Sequence, residues 1–266
     1  MKLNKFYLLI VFGFLLSFYS CESNDGIIIQ RTFDLKSQSK VLIELFTNTS
    51  CIPCVQSNLY LDGINNLSGV TINDTNVIII RIHTTLFPND PFYEFNSADN
   101  FARQSYYVFP AFANPKGYLM GIDSSLGNFN QTIWTNEINS RLAKTNSFAI
   151  NLTITYDSLT RNGTLDYVIG QLTGAQVNDL VLHIAVTEDH LFYNAPNGET
   201  EFENTLRDLI TPGVGENISI SPGQSSNFSK NFTLMNGIDH KHADIIIFVQ
   251  SLSSKEIFAV EKKPLH

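Results

Sequence analysis

Residues 41–54 read VLIELFTNTSCIPC, an apolar run followed by two cysteines three positions apart. The run Val41–Phe46 predicts a short strand of the kind that is buried on both faces. The residues after Cys54 have a broken helical period, so we expect a helix to begin near Cys51. The unpaired N–H groups and the dipole at a helix N-terminus favour negative charge, which predicts a stabilised Cys51 thiolate.

The cysteine pair permits three interpretations. In the first, Cys51 attacks a substrate disulfide and Cys54, within disulfide reach, resolves the mixed disulfide. In the second, the pair is an inert structural disulfide. In the third interpretation the pair is half of a zinc site. The remaining cysteine, Cys21, belongs to an N-terminal signal, so a structural zinc would need histidines from elsewhere. We therefore expect no metal and no cofactor at this pair.

The N-terminus predicts export and a lipid anchor. Lys2 and Lys5 precede an apolar run at 6–19 that is too short to span a bilayer comfortably. A serine then stands before Cys21 and polar residues follow, which resembles a bacterial lipoprotein cleavage site. We expect residues 1–20 to be a signal peptide and Cys21 to become the lipidated first residue. The alternative is an uncleaved N-terminal anchor with an incidental cysteine.

Composition limits the partners and the number of domains. The chain has a formal charge of −8, and residues 1–20 contain two lysines and no acids, so their removal leaves 15 basic and 25 acidic side chains, or −10. Such an acidic surface argues against a nucleic-acid partner. A hydrophobic content of 43% supplies one large or two moderate cores, and we expect two domains.

The hydrophobic pattern changes once along the chain. After a polar tether at 21–38, buried-type strands such as Val77–Ile82 alternate with helical segments, which predicts an α/β domain at 39–145. From there onward apolar residues recur at every second position in six or seven short strands. That pattern predicts an all-β domain at 147–266, an antiparallel sandwich of the immunoglobulin-like type.

A proline after the second predicted helix adds to the cysteine pair. The segment 106–112 reads YYVFPAF, and together with the cysteines it resembles the thioredoxin superfamily, in which a cis-proline faces the cysteine pair. The resemblance implies a thioredoxin-like fold for 39–145. It also implies that Pro110 is the site proline and that Phe109 presents the backbone groups that hold a substrate chain. The alternative for Pro110 is an ordinary trans-proline that ends a helix.

The chain departs from that superfamily at two positions. Ser50 stands where a tryptophan commonly precedes the first cysteine, and Leu45 stands where a buried acid relays protons. The nearest acid is Glu44, and adjacent strand residues face opposite sides. Glu44 therefore serves as the relay only if the register slips by one; otherwise we expect a solvated or structurally paired carboxylate.

A wider resemblance covers most of the chain. The lipoprotein signal, the first strand with its cysteines, HTTLFPNDPFYEFN at 83–96 with Arg103 and Tyr107, and FAINLTITYD at 148–157 together look like the outer-membrane-protein-28 family of Gram-negative lipoproteins. That resemblance implies a thioredoxin-like domain followed by a β domain. It also implies lipid anchoring in the outer membrane, on its periplasmic or cell-surface side.

Two functions follow as expectations. The first is a membrane-tethered thiol-disulfide oxidoreductase that acts on thiols or disulfides of cell-envelope proteins through Cys51, Cys54 and Pro110. The direction of the redox chemistry is open. The second is a non-catalytic scaffold or adhesion lipoprotein in which the two cysteines only close a small loop.

Four histidines and one long segment complete the candidates. His83, at the end of the second strand, is expected near the cysteines, either assisting proton transfer or as a structural histidine. His183 alternates with apolar residues and is expected to be exposed, and His240 and His242 would share a face if extended, where they would bind metal adventitiously or simply form a polar turn. Segment 188–224 exceeds ordinary loop lengths, which predicts a helix near 202–210 or a binding excursion that sets partner specificity.

Overall fold

The structure, a computed structural model, describes residues 35–36, 38–64, 76–107, 114–123 and 129–266. Within these ranges the helices are α1 (Ile52–Asp62), α2 (Pro91–Phe95), α3 (Ser97–Tyr106) and α4 (Gln131–Leu142). The strands are β1 (Val41–Thr47), β2 (Val77–His83), β3 (Lys116–Leu119), β4 (Ile122–Asp123), β5 (Phe148–Asp157), β6 (Asn162–Gln171), β7 (Leu180–Glu188), β8 (Leu191–Phe192), β9 (Glu201–Phe202), β10 (Thr205–Leu209), β11 (Glu216–Asn217), β12 (Ser225–Thr233), β13 (Ala243–Ser251) and β14 (Ile257–Pro264).

One mixed nine-stranded sheet runs through the protein, in the order β14-β13-β7-β10-β2-β1-β3-β4, with β11 paired to β7. β1 and β2 are parallel, and every residue of both strands is buried, as their apolar runs predicted. β10 joins the two halves of the sheet, because it is antiparallel to β7 and parallel to β2, with Thr205 opposite Arg81. Strands from both halves of the sequence therefore share one sheet.

A smaller antiparallel sheet, in the order β12-β6-β5, covers one face of the C-terminal strands. Its inward side chains, such as Leu152, share an apolar core with Ile184 of β7 and Ile247 of β13. Because strand residues alternate between faces, the intervening residues of β7 and β13 point to the other side. There the His183 and Phe248 rings stack with centroids 4.8 Å apart.

The predicted fold class is wrong. Strands outnumber helices among the described residues, and the sheets are mixed and antiparallel, which does not fit a thioredoxin-like α/β domain at 39–145 followed by a separate immunoglobulin-like sandwich at 147–266. The physical reason lies in segment 188–224. Instead of a helix near 202–210, it supplies β10, whose backbone groups pair with the edges of both β2 and β7.

Two of the N-terminal predictions fall where the structure describes no residues. The signal peptide at 1–20 and Cys21 lie outside the described residues, as does most of the tether at 21–38. Among the helices that are described, none has both the length and the apolar character needed to cross a bilayer.

Candidate functional site

The two cysteines form a disulfide at the start of α1. Cys51 is the N-cap residue, with extended φ and ψ, and Pro53 lies in the first turn, as the sequence predicted. The Sγ atoms of Cys51 and Cys54 are 2.11 Å apart and their Cα atoms 5.3 Å apart. No side chain caps the helix, and in general the positive N-terminal end of a helix favours negative charge at its N-cap residue.

Asp90 fixes the loop that leads from β1 into the disulfide. Its Oδ2 accepts hydrogen bonds from Thr49 N and His83 Nδ1, each at 2.8 Å, and its Oδ1 accepts from Phe92 N at 3.0 Å. Burial works to raise the pKa of Asp90, but His83 and the N–H donors, including those of Thr49 and Tyr93, outweigh it and lower the pKa below its ordinary value. The carboxylate therefore stays charged and holds the loop in place.

His83 lies beside this loop, as the sequence predicted. It stands opposite Thr47 in the β1–β2 register and is buried against the Phe92 ring, with centroids 5.0 Å apart. Its Nδ1 makes the hydrogen bond to Asp90 that a structural histidine requires. Its Nε2 is buried without a hydrogen-bond partner in the described part of the chain.

A hairpin tip from the C-terminal half closes over the disulfide. We call residues 193–200, between β8 and β9, the cover loop. Asn197 N donates to Thr49 O at 3.1 Å and Asn197 Nδ2 to Cys51 O at 3.4 Å. Glu199 Oε1 accepts from Asn58 Nδ2 of α1 at 2.8 Å. The sequence predicted an excursion in this region but not its target, because only the Pro-Asn-Gly turn at its tip is recognisable.

The disulfide is inaccessible in this conformation. Cys51 is 2% exposed and Cys54 is fully buried. A thiolate must approach the attacked sulfur directly to exchange with a disulfide. The pair is therefore chemically competent only when its covering segments move.

Glu44 lies on the opposite face of the sheet from α1. Its neighbour Leu45 stands opposite Arg81, and Arg81 Nη2 donates to Asn58 O of α1 at 3.1 Å. Because adjacent strand residues point to opposite faces, Glu44 points away from α1. It pairs instead with Arg103 of α3 and is not a proton relay for the cysteines, in line with the alternative of a structurally paired carboxylate.

Arg103 is the centre of a buried network that links both halves of the chain. Its Nη2 donates to Glu44 Oε1 at 2.6 Å, and both side chains are at most 2% exposed. Tyr107 donates to Glu44 Oε2 and accepts from Gln250 Nε2 of β13 at 3.0 Å. Burial opposes charge on Arg103, but Glu44 and Tyr107 raise its pKa above the ordinary value. The guanidinium is therefore positive in the folded protein.

His183 belongs to the same network and is fully buried, so the prediction that it is exposed is wrong. Both of its ring nitrogens lie 3.5 Å from Arg103 Nη1. Burial, followed by the positive charges of Arg103 and Lys255, lowers the pKa of His183 well below 6.5. The histidine is therefore neutral in the folded state at neutral pH.

Stability is expected to fall as the pH drops below 6.5. The unfolded chain binds a proton at residue 183 in that range and the folded chain does not, so unfolding is favoured by up to about 1.4 kcal/mol per pH unit. His183→Gln keeps a hydrogen-bond acceptor for Arg103 and removes this pH-dependent contribution to the free energy of unfolding. Urea unfolding at pH 7, 6 and 5 should give a shallower decline for the variant, and equal declines would contradict the prediction.

Two further pairs of residues were named from the sequence. Pro110 and Phe109 lie outside the described residues. His240 and His242 contact different residues. The His240 ring centroid lies 5.7 Å from that of Tyr156, and the His242 ring centroid lies 5.1 Å from that of His190.

Comparison with solved structures finds low similarity. A domain of the outer membrane lipoprotein Omp28 from Porphyromonas gingivalis is 15% identical, with a TM-score of 0.31, over 44% of this chain and 86% of that one. β-Glucosidase 3B from Thermotoga neapolitana is 13% identical, with a TM-score of 0.26, over 46% of this chain and 16% of the enzyme. Neither likeness is high enough to carry an argument about function.

Comparison with sequences is more informative. No curated protein matches the chain. The family model described as outer membrane protein Omp28 matches residues 102–266, which is more than half of the sequence. That match confirms the family and the outer-membrane localisation expected from the sequence. The chain therefore belongs to the Omp28 family and is an outer membrane lipoprotein.

Proposed function

We propose that the protein exchanges disulfides with thiols of cell-envelope proteins through Cys51 and Cys54. The observation that carries the proposal is the disulfide at the N-terminus of α1, directly after a buried strand. A helix N-terminus lowers a thiol pKa and so makes the reduced Cys51 a good leaving group and nucleophile. The cell envelope is also a compartment in which such exchange takes place.

The exchange runs in two steps that conserve electrons. A substrate thiolate attacks Cys51 Sγ, which forms a mixed disulfide, breaks the Cys51–Cys54 bond and releases the Cys54 thiolate. A second substrate thiolate then attacks the substrate sulfur and releases Cys51 as a thiolate. The substrate loses two electrons and becomes a disulfide, while the cysteine pair gains two. The reverse sequence, on a disulfide of another envelope protein, restores the pair.

A scaffold role is the second candidate, and the burial of the pair favours it. A disulfide between cysteines that are at most 2% exposed resists reduction unless the covering segments open. The redox potential separates the two functions. A structural disulfide has a potential below about −300 mV, whereas an exchanging pair has a higher one.

Replacing Cys54 by alanine is expected to trap partners covalently. The variant keeps the nucleophile Cys51 but cannot resolve the mixed disulfide. Non-reducing gels of cells that express it should show complexes that disappear on addition of reductant. Cys51→Ala is the matched control and should trap far fewer partners, because Cys54 lies inside the first turn rather than at its cap.

A negative result would also be informative. If Cys54→Ala captures no partner and the purified protein does not exchange with a model disulfide, the scaffold function replaces the redox function. Attachment to the membrane through a lipid on Cys21 and substrate docking at Pro110 are parts of the proposal that rest on the sequence alone.

A further inference from the structure

A second cluster of reactive side chains lies at the base of the hairpin that carries the cover loop. His190 stands between β7 and β8, Glu201 opens β9, and Glu203 follows β9. His190 Nδ1 lies 2.9 Å from Glu201 Oε1 and 3.0 Å from Glu203 Oε1. One donor atom from each of the three side chains lies within 4.8 Å of the other two.

The backbone holds these three side chains together. Leu191 pairs with Phe202 across the β8–β9 ladder, which fixes the residues on either side of that pair next to each other. His190 N also donates to Glu203 Oε2 at 3.2 Å. The cluster therefore depends on main-chain pairing and not on a chance meeting of long side chains.

Negative charge in the cluster exceeds the positive charge available to it. In the described part of the chain, His190 is the cationic side chain paired with Glu201 and Glu203. Asp189 adds a third carboxylate, since it lines the same cleft as Glu203. Lys262 lines that cleft too, but its Nζ pairs with Asp244 at 2.7 Å. His190 thus lies among three carboxylates, and the ring centroid of His242 lies 5.1 Å from that of His190.

We propose that His190, Glu201 and Glu203 bind a divalent transition-metal ion such as Zn²⁺ or Mn²⁺. One imidazole and two carboxylates are a donor set that these ions accept. Adjacent donors around a six-coordinate ion with bonds near 2.1 Å lie about 3.0 Å apart, and around a tetrahedral zinc about 3.4 Å apart. The two measured nitrogen–oxygen distances therefore need little or no expansion to admit the ion. Water would complete the coordination shell.

Isothermal titration tests the site on the full-length lipoprotein, purified in detergent and free of any polyhistidine tag. We expect saturable binding of one Zn²⁺ or Mn²⁺ per chain. His190→Ala and the isosteric Glu203→Gln should each weaken that binding at least tenfold. His240→Ala is the matched control, because the His240 ring lies against Tyr156 and is not one of the three proposed ligands, and it should bind as the wild type does.

Three results would overturn the assignment. These are the absence of saturable binding to the wild-type protein, equal affinities in the His190→Ala variant, and Mg²⁺ binding as tight as Zn²⁺ binding, which would indicate attraction by charge alone. Circular dichroism and thermal unfolding of each variant show that it is folded before it is titrated. Because the experiment measures metal affinity, its result tests the metal site independently of the redox proposal.

Discussion

Replacing Arg103 by alanine is expected to cost about 3–5 kcal/mol of unfolding free energy, because it leaves the buried Glu44 carboxylate without its counter-charge. The loss is large since Arg103 also contacts residues of both halves of the chain. Its guanidinium lies 4.5 Å from the Tyr106 ring centroid and 5.5 Å from that of Phe248 in β13. Chemical unfolding of the wild type and the variant at pH 7 measures the difference.

Two controls separate the buried charge from lost packing. Lys230→Ala breaks a more exposed ion pair with Glu216 and should cost no more than about 1 kcal/mol. The double variant Arg103→Met/Glu44→Leu removes both buried charges and should recover much of the stability lost by Arg103→Ala. If Arg103→Ala is no more destabilised than Lys230→Ala, the network does not hold the two halves together.

Loosening the cover loop is expected to speed reduction of the disulfide about 10–100-fold. Asn197→Ala/Glu199→Ala removes the side-chain hydrogen bonds to Cys51 O and Asn58. A neutral hydrogen bond contributes about 0.5–1.5 kcal/mol and one to a charged group about 1.5–3 kcal/mol, while 1.4 kcal/mol corresponds to a factor of ten. The open state is therefore populated more often, and reduction proceeds from it.

The rate of reduction by dithiothreitol, followed by alkylation of the freed thiols and mass spectrometry, tests this prediction. Phe192→Ala is the matched control, because Phe192 lies on the same hairpin but is largely exposed. It should react at the wild-type rate. Equal rates in all three proteins would mean that other segments protect the sulfurs.

Individual elements were predictable from the sequence because they depend on local patterns. Apolar runs identified β1 and β2, alternation identified β5, and the position of the cysteines predicted the start of α1. Each of these signals lies within a few neighbouring residues, so it can be recognised without knowing which distant segments pack together.

The assembly was not predictable because it depends on contacts between distant residues. The sequence of β10 has no strong strand pattern. It joins the sheet because its backbone pairs with the edges of β2 and β7. His183 looked exposed because its strand alternates, but α3 covers the second face through Arg103. In the cover loop only the Pro-Asn-Gly turn is recognisable, and the His190 cluster matches no known motif. The contacts of β10, His183 and the cover loop are made between segments distant in the sequence.

The position of β10 has a consequence for synthesis of the protein. In sequence, 122 residues separate Arg81 of β2 from Glu203, which leads into β10. The nascent chain therefore holds an unpaired β2 edge until its last quarter is synthesised, and such non-local pairing slows folding. An unpaired edge is a template for association with other chains. Truncated or stalled chains that end before residue 205 should therefore aggregate.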